Sequence, residues 1–561
     1  MLLSSLGMTM EARAAEVPVE AFPANSGVVI RIGDLDATMK KVNELAAAVE
    51  PDDNKRLMVN TYLDLANGMS GTIIDNPARA GVKKGTDWWI AAIAKGGPEP
   101  PAMIVAVQPE DVDAVKDAVG DAYTYVEYEN WLLYSKDEDA AKAVQACVDG
   151  QAPSIEPVAD ETTKSIFKNS DAAVFVHIKE LVKTYKNELQ LARAQANQAL
   201  AEAENFSPQV EGMNMKAVFD MYRDLFSSLL TAIEESNSCT VGMTVSAEGI
   251  HFDEYLNVLP ETATSKFLAS HPKATMEALN MLPTEQPVYL GVRADMAALT
   301  KWGMSLVKAM LDEDETAAAS IDDAVKKMEK LEYGTYVSSF GLGDLQTGLL
   351  RTATVSEIKN AKESRETTLD VFKAMSSLNS PLMKQTFDYK QDAETVAGES
   401  VDTITIKQEF NEEIDPTGLQ KQMMEKMYGP GGAVTRMVYL DNYVVQTMGG
   451  GKEALEALLK SVKSPAKDEA AQATRSKLAP EANLVALVDL SGLLIRGVYI
   501  AAEAGFFDPS LIPEFDIDRS YLGYSLAMSK KGIDIDAEIP AQQIRGLYLI
   551  GTTAYMMWSA Q

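Results

Sequence analysis

Apolar and polar positions along the chain fall into short continuous apolar runs and longer stretches with an apolar residue every three or four positions. One arrangement of strand, tight turn, strand and helix is written twice, as TYVEYENWLLYSKDEDAAKAVQACV at 124–148 and TRMVYLDNYVVQTMGGGKEALEALLKSV at 435–462. Setting Asn130 on Asn442 aligns Glu129 with Asp441 and Leu132-Leu133 with Val444-Val445. In both copies two apolar runs meet at an acidic residue followed by Asn, a pair suited to a hairpin turn because Asn tolerates positive φ. A second pattern, four to six apolar residues leading into a helix, starts at Val28, Asp171, Gln286 and Ala482. Repetition at this scale predicts a duplicated architecture.

The connecting material follows the same plan. DWWIAAIA with AMIVAV, CTVGMTV with GIHFDEYLNVL, GTYVSSFGLG with GLLRTATV, MKQTFDYKQD with DTITIKQEF, and YLGYSLAM with IDIDAEI all read as strand pairs. Long amphipathic stretches run from Lys179 to about Glu204 and, after a break at Ser207-Pro208, on to Glu235; SKFLASHPKATMEALNML reads as another helix. Strands that arrive in hairpins imply mainly antiparallel sheets, each covered on one face by helices and helical hairpins, which is an α+β class. The division expected is an export-signal remnant at 1–15, a first half at 16–283 and a second at 284–561. A chain of 561 residues exceeds what one core usually supports.

Charge removes some functions. With 82 acidic against 51 basic residues and a net charge of −31, the chain is not expected to bind nucleic acid. Leu2, Leu3, Leu6, Met8 and Met10 followed by Ala12-Arg13-Ala14 read as an apolar segment and cleavage site, so export to the periplasm or outside the cell is expected. The longest apolar run, Leu484 to Ala504, is interrupted by Asp489, Arg496 and Glu503, and no membrane span is expected. Cys147 and Cys239 suit no zinc motif; in an oxidising compartment they are either one bridge or two inert thiols.

Candidate chemistry is sparse. GGGKEAL at 449–455 places glycine and lysine at a helix start, but position 446 is Gln and Glu453 follows the lysine, so the Walker A pattern fails and a flexible turn is expected. The three histidines, His177, His251 and His271, have no ligand or nucleophile motif around them. Asp312 to Glu315, and Asp516 with Asp518, lack the calcium-loop pattern. No catalytic residue, metal or cofactor is assigned. Two apolar features suit binding instead. One is the helix stripe containing Met215, Phe219, Tyr222 and Phe226; the other is the aromatic group Trp88, Trp131 and Tyr123, with one of Trp88-Trp89 facing inward.

The opening FPANSGVVIRIGDLD of an acidic mature chain, followed by repeated strand–helix–helix–hairpin units, resembles the large exported proteins of planctomycete-type bacteria. That resemblance implies export and a non-enzymatic default, with no site residues to carry over. The expectation is therefore an exported binding or structural envelope protein, holding an apolar small molecule or a protein partner in a groove between sheet and helices. The alternative is a hydrolase with its site at the junction of the two halves.

Overall fold

The computed structural model describes residues 18–52, 80–206, 215–296, 298–299, 301, 303–304, 315–376, 383–410, 417–429 and 431–559. The expected signal at 1–15, the break at Ser207-Pro208 and the acidic positions 312–314 lie outside them. Two compact units are present. The first comprises Met1–Leu189, Ser236–Ala247 and Asp253–Leu256; the second comprises Gln190–Glu235, Glu248–Phe252 and Asn257–Gln561.

The first unit contains β1 (Ser26–Ile32), β2 (Trp88–Ile93), β3 (Ala102–Val107), β4 (Thr124–Tyr128), β5 (Trp131–Ser135), β6 (Ala172–Val176) and β7 (Ser236–Ser246). They pair antiparallel in the order β4-β5-β3-β2-β1-β6-β7. Glu129, with φ +52, makes the turn between β4 and β5. The Asp34 carboxylate accepts hydrogen bonds from the amides of Asp36 and Ala37 and starts the helix Leu35–Val49. Strand β8 (Gly249–Val258) is divided between the two units.

The second unit contains β9 (Val288–Val292), β10 (Tyr333–Asp344), β11 (Gly348–Ile358), β12 (Met383–Val396), β13 (Glu399–Phe410), β14 (Ala433–Tyr439), β15 (Tyr443–Met448), β16 (Leu484–Val488), β17 (Leu522–Ser529) and β18 (Gly532–Pro540). Their antiparallel order is β12-β13-β14-β15-β11-β10-β9-β16-β17-β18. With β12 and β13 set aside, the order from β14 to β17 matches that from β4 to β7 position by position. Local detail matches as well. A Cβ at Gly242 of β7 would meet Ser170 Oγ at 2.1 Å and Ile166 at 2.5 Å, and one at Gly523 of β17 would meet Thr474 at 2.4 Å. Each glycine thus lets the end of a short helix, Glu161–Asn169 or Glu469–Arg475, approach a strand closely.

One expected helix is broken. SKFLASHPKATMEALNML forms a helix only over Ala263–Ala269, then an isolated bridge at Ala274 and a 3₁₀ turn at Glu277–Met281. Pro272 has no amide to donate and disfavours helical backbone in the residue before it.

Packing follows strand alternation. In the first unit Trp89, Ala91, Ile104, Ala106, Trp131 and Leu133 point into one core with Ala140 and Val144 of the helix Glu138–Val148. On the opposite face Trp88, Val107, Leu132 and Tyr134 pack with Val115 of the helix Val112–Val119. Cys147 and Cys239 are free thiols with no bridge between them, and burial pushes both up.

Candidate functional site

The helix stripe singled out in the sequence is left partly exposed. The helices Lys186–Phe206 and Met215–Glu234 are held to each other through Arg193 to Glu234, at 3.2 Å, and Arg223 to Glu204. No residue of the first is buried. On the second, Phe219 and Phe226 are half-buried, while Tyr222 is 50% and Leu229 57% exposed. The Met215 side chain lies outside the described atoms. These residues belong to the second unit.

The aromatic group divides between two faces. Trp131 is 2% exposed in the core beside Trp89. Trp88 lies on the other face, at the floor of a cavity of about 590 Å³ within the first unit. The register explains the split: Trp89 pairs with Ala106 and Ala106 with Leu133, whereas Ile90 pairs with Val105 and Val105 with Tyr134. Because side chains alternate along each strand, Trp88, Ile90, Met103, Val105 and Tyr134 share one face and form the floor. Val119 and Tyr123 form one wall, and the Gly96-Gly97-Pro98 loop leads to Pro100 and Pro101 on another.

That wall is fixed by local chemistry. Asp111 caps the helix Val112–Val119, Gly120 ends it at φ +94, and the Tyr125 hydroxyl donates to the carbonyls of Lys116 and Gly120 at 3.2 and 2.8 Å. Tyr123 meets Tyr134 edge-on with centroids 5.7 Å apart.

Polar groups are few and confined to one end. Asp137 caps the helix Glu138–Val148, accepting from Asp139 N at 3.1 Å and Ala140 N at 2.9 Å, and its other oxygen pairs with Lys95. Lys95, then the Ala140 amide, hold the Asp137 carboxyl below its ordinary value; Asp137 in turn raises Lys95. The Lys136 ammonium stands 5.6 Å from the centroid of the Tyr123 ring and pairs with no carboxylate among the described residues. Tyr134 is 7% exposed, and its hydroxyl bonds to no other described residue. Burial, then Tyr123 and Tyr125, push it well above the ordinary tyrosine value, so it stays a neutral donor.

The corresponding face of the second unit is filled. There Val444, the counterpart of Leu132, packs with Met437, Ile358 and Ile404. Phe372 of the helix Ala361–Ser376 lies against Phe387 and Tyr389 of β12. The counterpart of Tyr134 is Gln446. The hairpin β12–β13, for which the described residues of the first unit hold no equivalent, supplies the filling.

Among the other sequence candidates, Lys452, His251 and His271 have structural partners. In GGGKEAL, Gly449, Gly450 and Gly451 take φ values of +75, +69 and +68, and Lys452 pairs with Glu394 at 2.8 Å, beside Arg436. A Cβ at Gly449 would lie 2.3 Å from the Leu350 carbonyl oxygen. Gly449→Ala is therefore expected to lower stability by about 1–3 kcal/mol, and Lys452→Ala by less than about 1 kcal/mol because Lys452 is exposed and Arg436 still pairs with Glu394. Urea unfolding of both variants checks this order, which a phosphate-cradling lysine would not require. His251 Nδ1 lies 3.2 Å from the buried Glu538 carboxylate, which also accepts from Lys477 at 2.8 Å. His177 is buried with its Nδ1 unpartnered, and His271 lies against Phe267 with centroids 4.6 Å apart. Asp516 and Asp518 are exposed.

No family model matches the chain, and no curated protein matches it. Among solved structures, crystal form III of TP0453 aligns at 9% identity over 48% of this chain and 96% of that one, with a TM-score of 0.22. A likeness of that size transfers neither fold nor function. Among the described residues no helix is long and apolar enough to cross a membrane.

Proposed function

We propose that this is an exported, non-enzymatic binding protein that holds an apolar small molecule in the cavity over β2, β3 and β5. The observation that carries the reading is the cavity itself. Its volume of about 590 Å³ lies within the roughly 300–1,000 Å³ usual for ligand pockets. Its floor is aromatic and aliphatic, and its polar groups stand at one end. Among the described residues lining it there is no Ser, His or Cys, and its carboxylate, Asp137, is engaged by Lys95 and a helix start. Export is part of the proposal through Ala12-Arg13-Ala14, and predicts a mature N-terminus at Ala15. The matching strand orders support reading the two units as copies, of which one kept the cavity open and the other filled it with β12–β13.

The test uses N-phenyl-1-naphthylamine, a neutral apolar fluorophore, added to the full chain. Saturable binding is expected, and Val105→Trp, which adds bulk at the centre of the floor, is expected to weaken it at least tenfold. Leu229→Ser, on the exposed stripe of Met215–Glu234, is expected to leave it unchanged. Binding that survives Val105→Trp and is lost in Leu229→Ser would move the site to the helix pair and overturn the reading.

A further inference from the structure

We infer that the occupant of this cavity is an amphiphile with a single carboxylate head, its apolar body over β2 and β3 and its head between Lys136 and Tyr134. The inference rests on the binding reading above and adds the chemistry of the ligand. Two polar groups at the same end of the cavity lack partners among the described residues. The Lys136 ammonium is a cation left unpaired in a chain of net charge −31, although its neighbour Asp137 is matched by Lys95. Tyr134, which lines the cavity, carries a hydroxyl donor with no acceptor among the described residues. An acceptor on the ligand would give that hydroxyl a hydrogen bond inside the cavity.

Both groups donate, so the ligand must accept. One cation without a partner suits one negative charge. A phosphate monoester would carry about two, and the second would lie near Asp137 with no cation to balance it. An amide or alcohol head would satisfy Tyr134 and leave Lys136 unmatched. The carboxylate satisfies both and forms a charge-assisted hydrogen bond, the stronger kind, with the ammonium. The apolar walls of Trp88, Ile90, Val105 and Val119 require an apolar body behind the head.

Calorimetric titration of the full chain with dodecanoic acid, dodecanol and dodecyl phosphate tests this. The acid is expected to bind about tenfold more tightly than the alcohol and more tightly than the phosphate. Lys136→Gln, at an exposed position, is expected to bring the acid-to-alcohol ratio close to one, and Tyr134→Phe to lower it in part. Equal affinity of the wild-type chain for acid and alcohol would overturn the assignment of the head while leaving an apolar site in place. Tighter binding of the phosphate would overturn the choice of carboxylate. Failure of all three to bind would remove the inference together with the reading beneath it.

Discussion

Replacing Asp402 with alanine is expected to lower the stability of the second unit by about 3–5 kcal/mol, the cost of removing one partner from a buried ion pair. Asp402 is 1% exposed on β13, and its two oxygens accept from Arg365 at Nε (2.7 Å) and Nη2, from the Tyr389 hydroxyl, and from the Asp392 amide at 2.9 Å. The carboxylate thereby joins the helix Ala361–Ser376 to both strands of the β12–β13 hairpin. Without it, the Tyr389 phenol loses its acceptor, and the half-buried Arg365 guanidinium keeps only Asp392 among the described residues, at 3.0 Å. The effect depends on pH in a defined direction. Burial pushes the Asp402 carboxyl up, but Arg365, Tyr389 and the Asp392 amide outweigh it, and the group titrates below its ordinary value. Its contribution is complete above the unfolded value of about 3.9 and is lost as pH falls from there through the depressed folded value. Urea midpoints of wild type and Asp402→Ala should differ most at neutral pH and converge below about pH 4. A gap that does not narrow on acidification would show that the carboxylate's charge contributes little.

Trp131→Ala is expected to cost about 3–5 kcal/mol in the first unit, the range for deleting a buried aromatic side chain. The sequence grouped Trp131 with Trp88 as lining for a groove, and the structure separates them onto opposite faces of the sheet. Trp131 packs with Val126, Ala140 and Val144, where only a cavity would replace it. The expected signature is a large loss in urea midpoint with probe affinity retained by the molecules that remain folded. Loss of probe binding with little change in stability would return Trp131 to the site.

What could be read from the sequence was local. Hairpins such as Glu129-Asn130, strands with period-two alternation, and apolar runs leading into helices, as at Val28, depend on residues close in the chain, and they predict the α+β class and its antiparallel sheets. The site was legible only in part. The Trp88-Trp89 pair shows that one ring faces each way, but which face keeps a cavity depends on the register of β2 against β3 and β5. A shift of one residue there would exchange the two sets of side chains. Tyr134 and Lys136 carried a weak signal: WLLYSK places a tyrosine on the same alternation as Leu132 and a lysine just past the strand. The stripe of Phe219, Tyr222 and Phe226 has the spacing of a sheet-covering helix, and periodicity does not reveal that its helix packs on another helix. Arg365 and Asp402 stand 37 positions apart, beyond any helical or strand spacing, and meet only in the fold.

The central claim is that the cavity over β2, β3 and β5 carries an apolar ligand. The most direct measurement is native mass spectrometry of the full chain recovered from its own compartment, before and after organic extraction. The account predicts a discrete additional mass that extraction removes and that Val105→Trp protein lacks. A bare polypeptide mass before extraction, in protein that also fails to take up the neutral fluorophore, would contradict it.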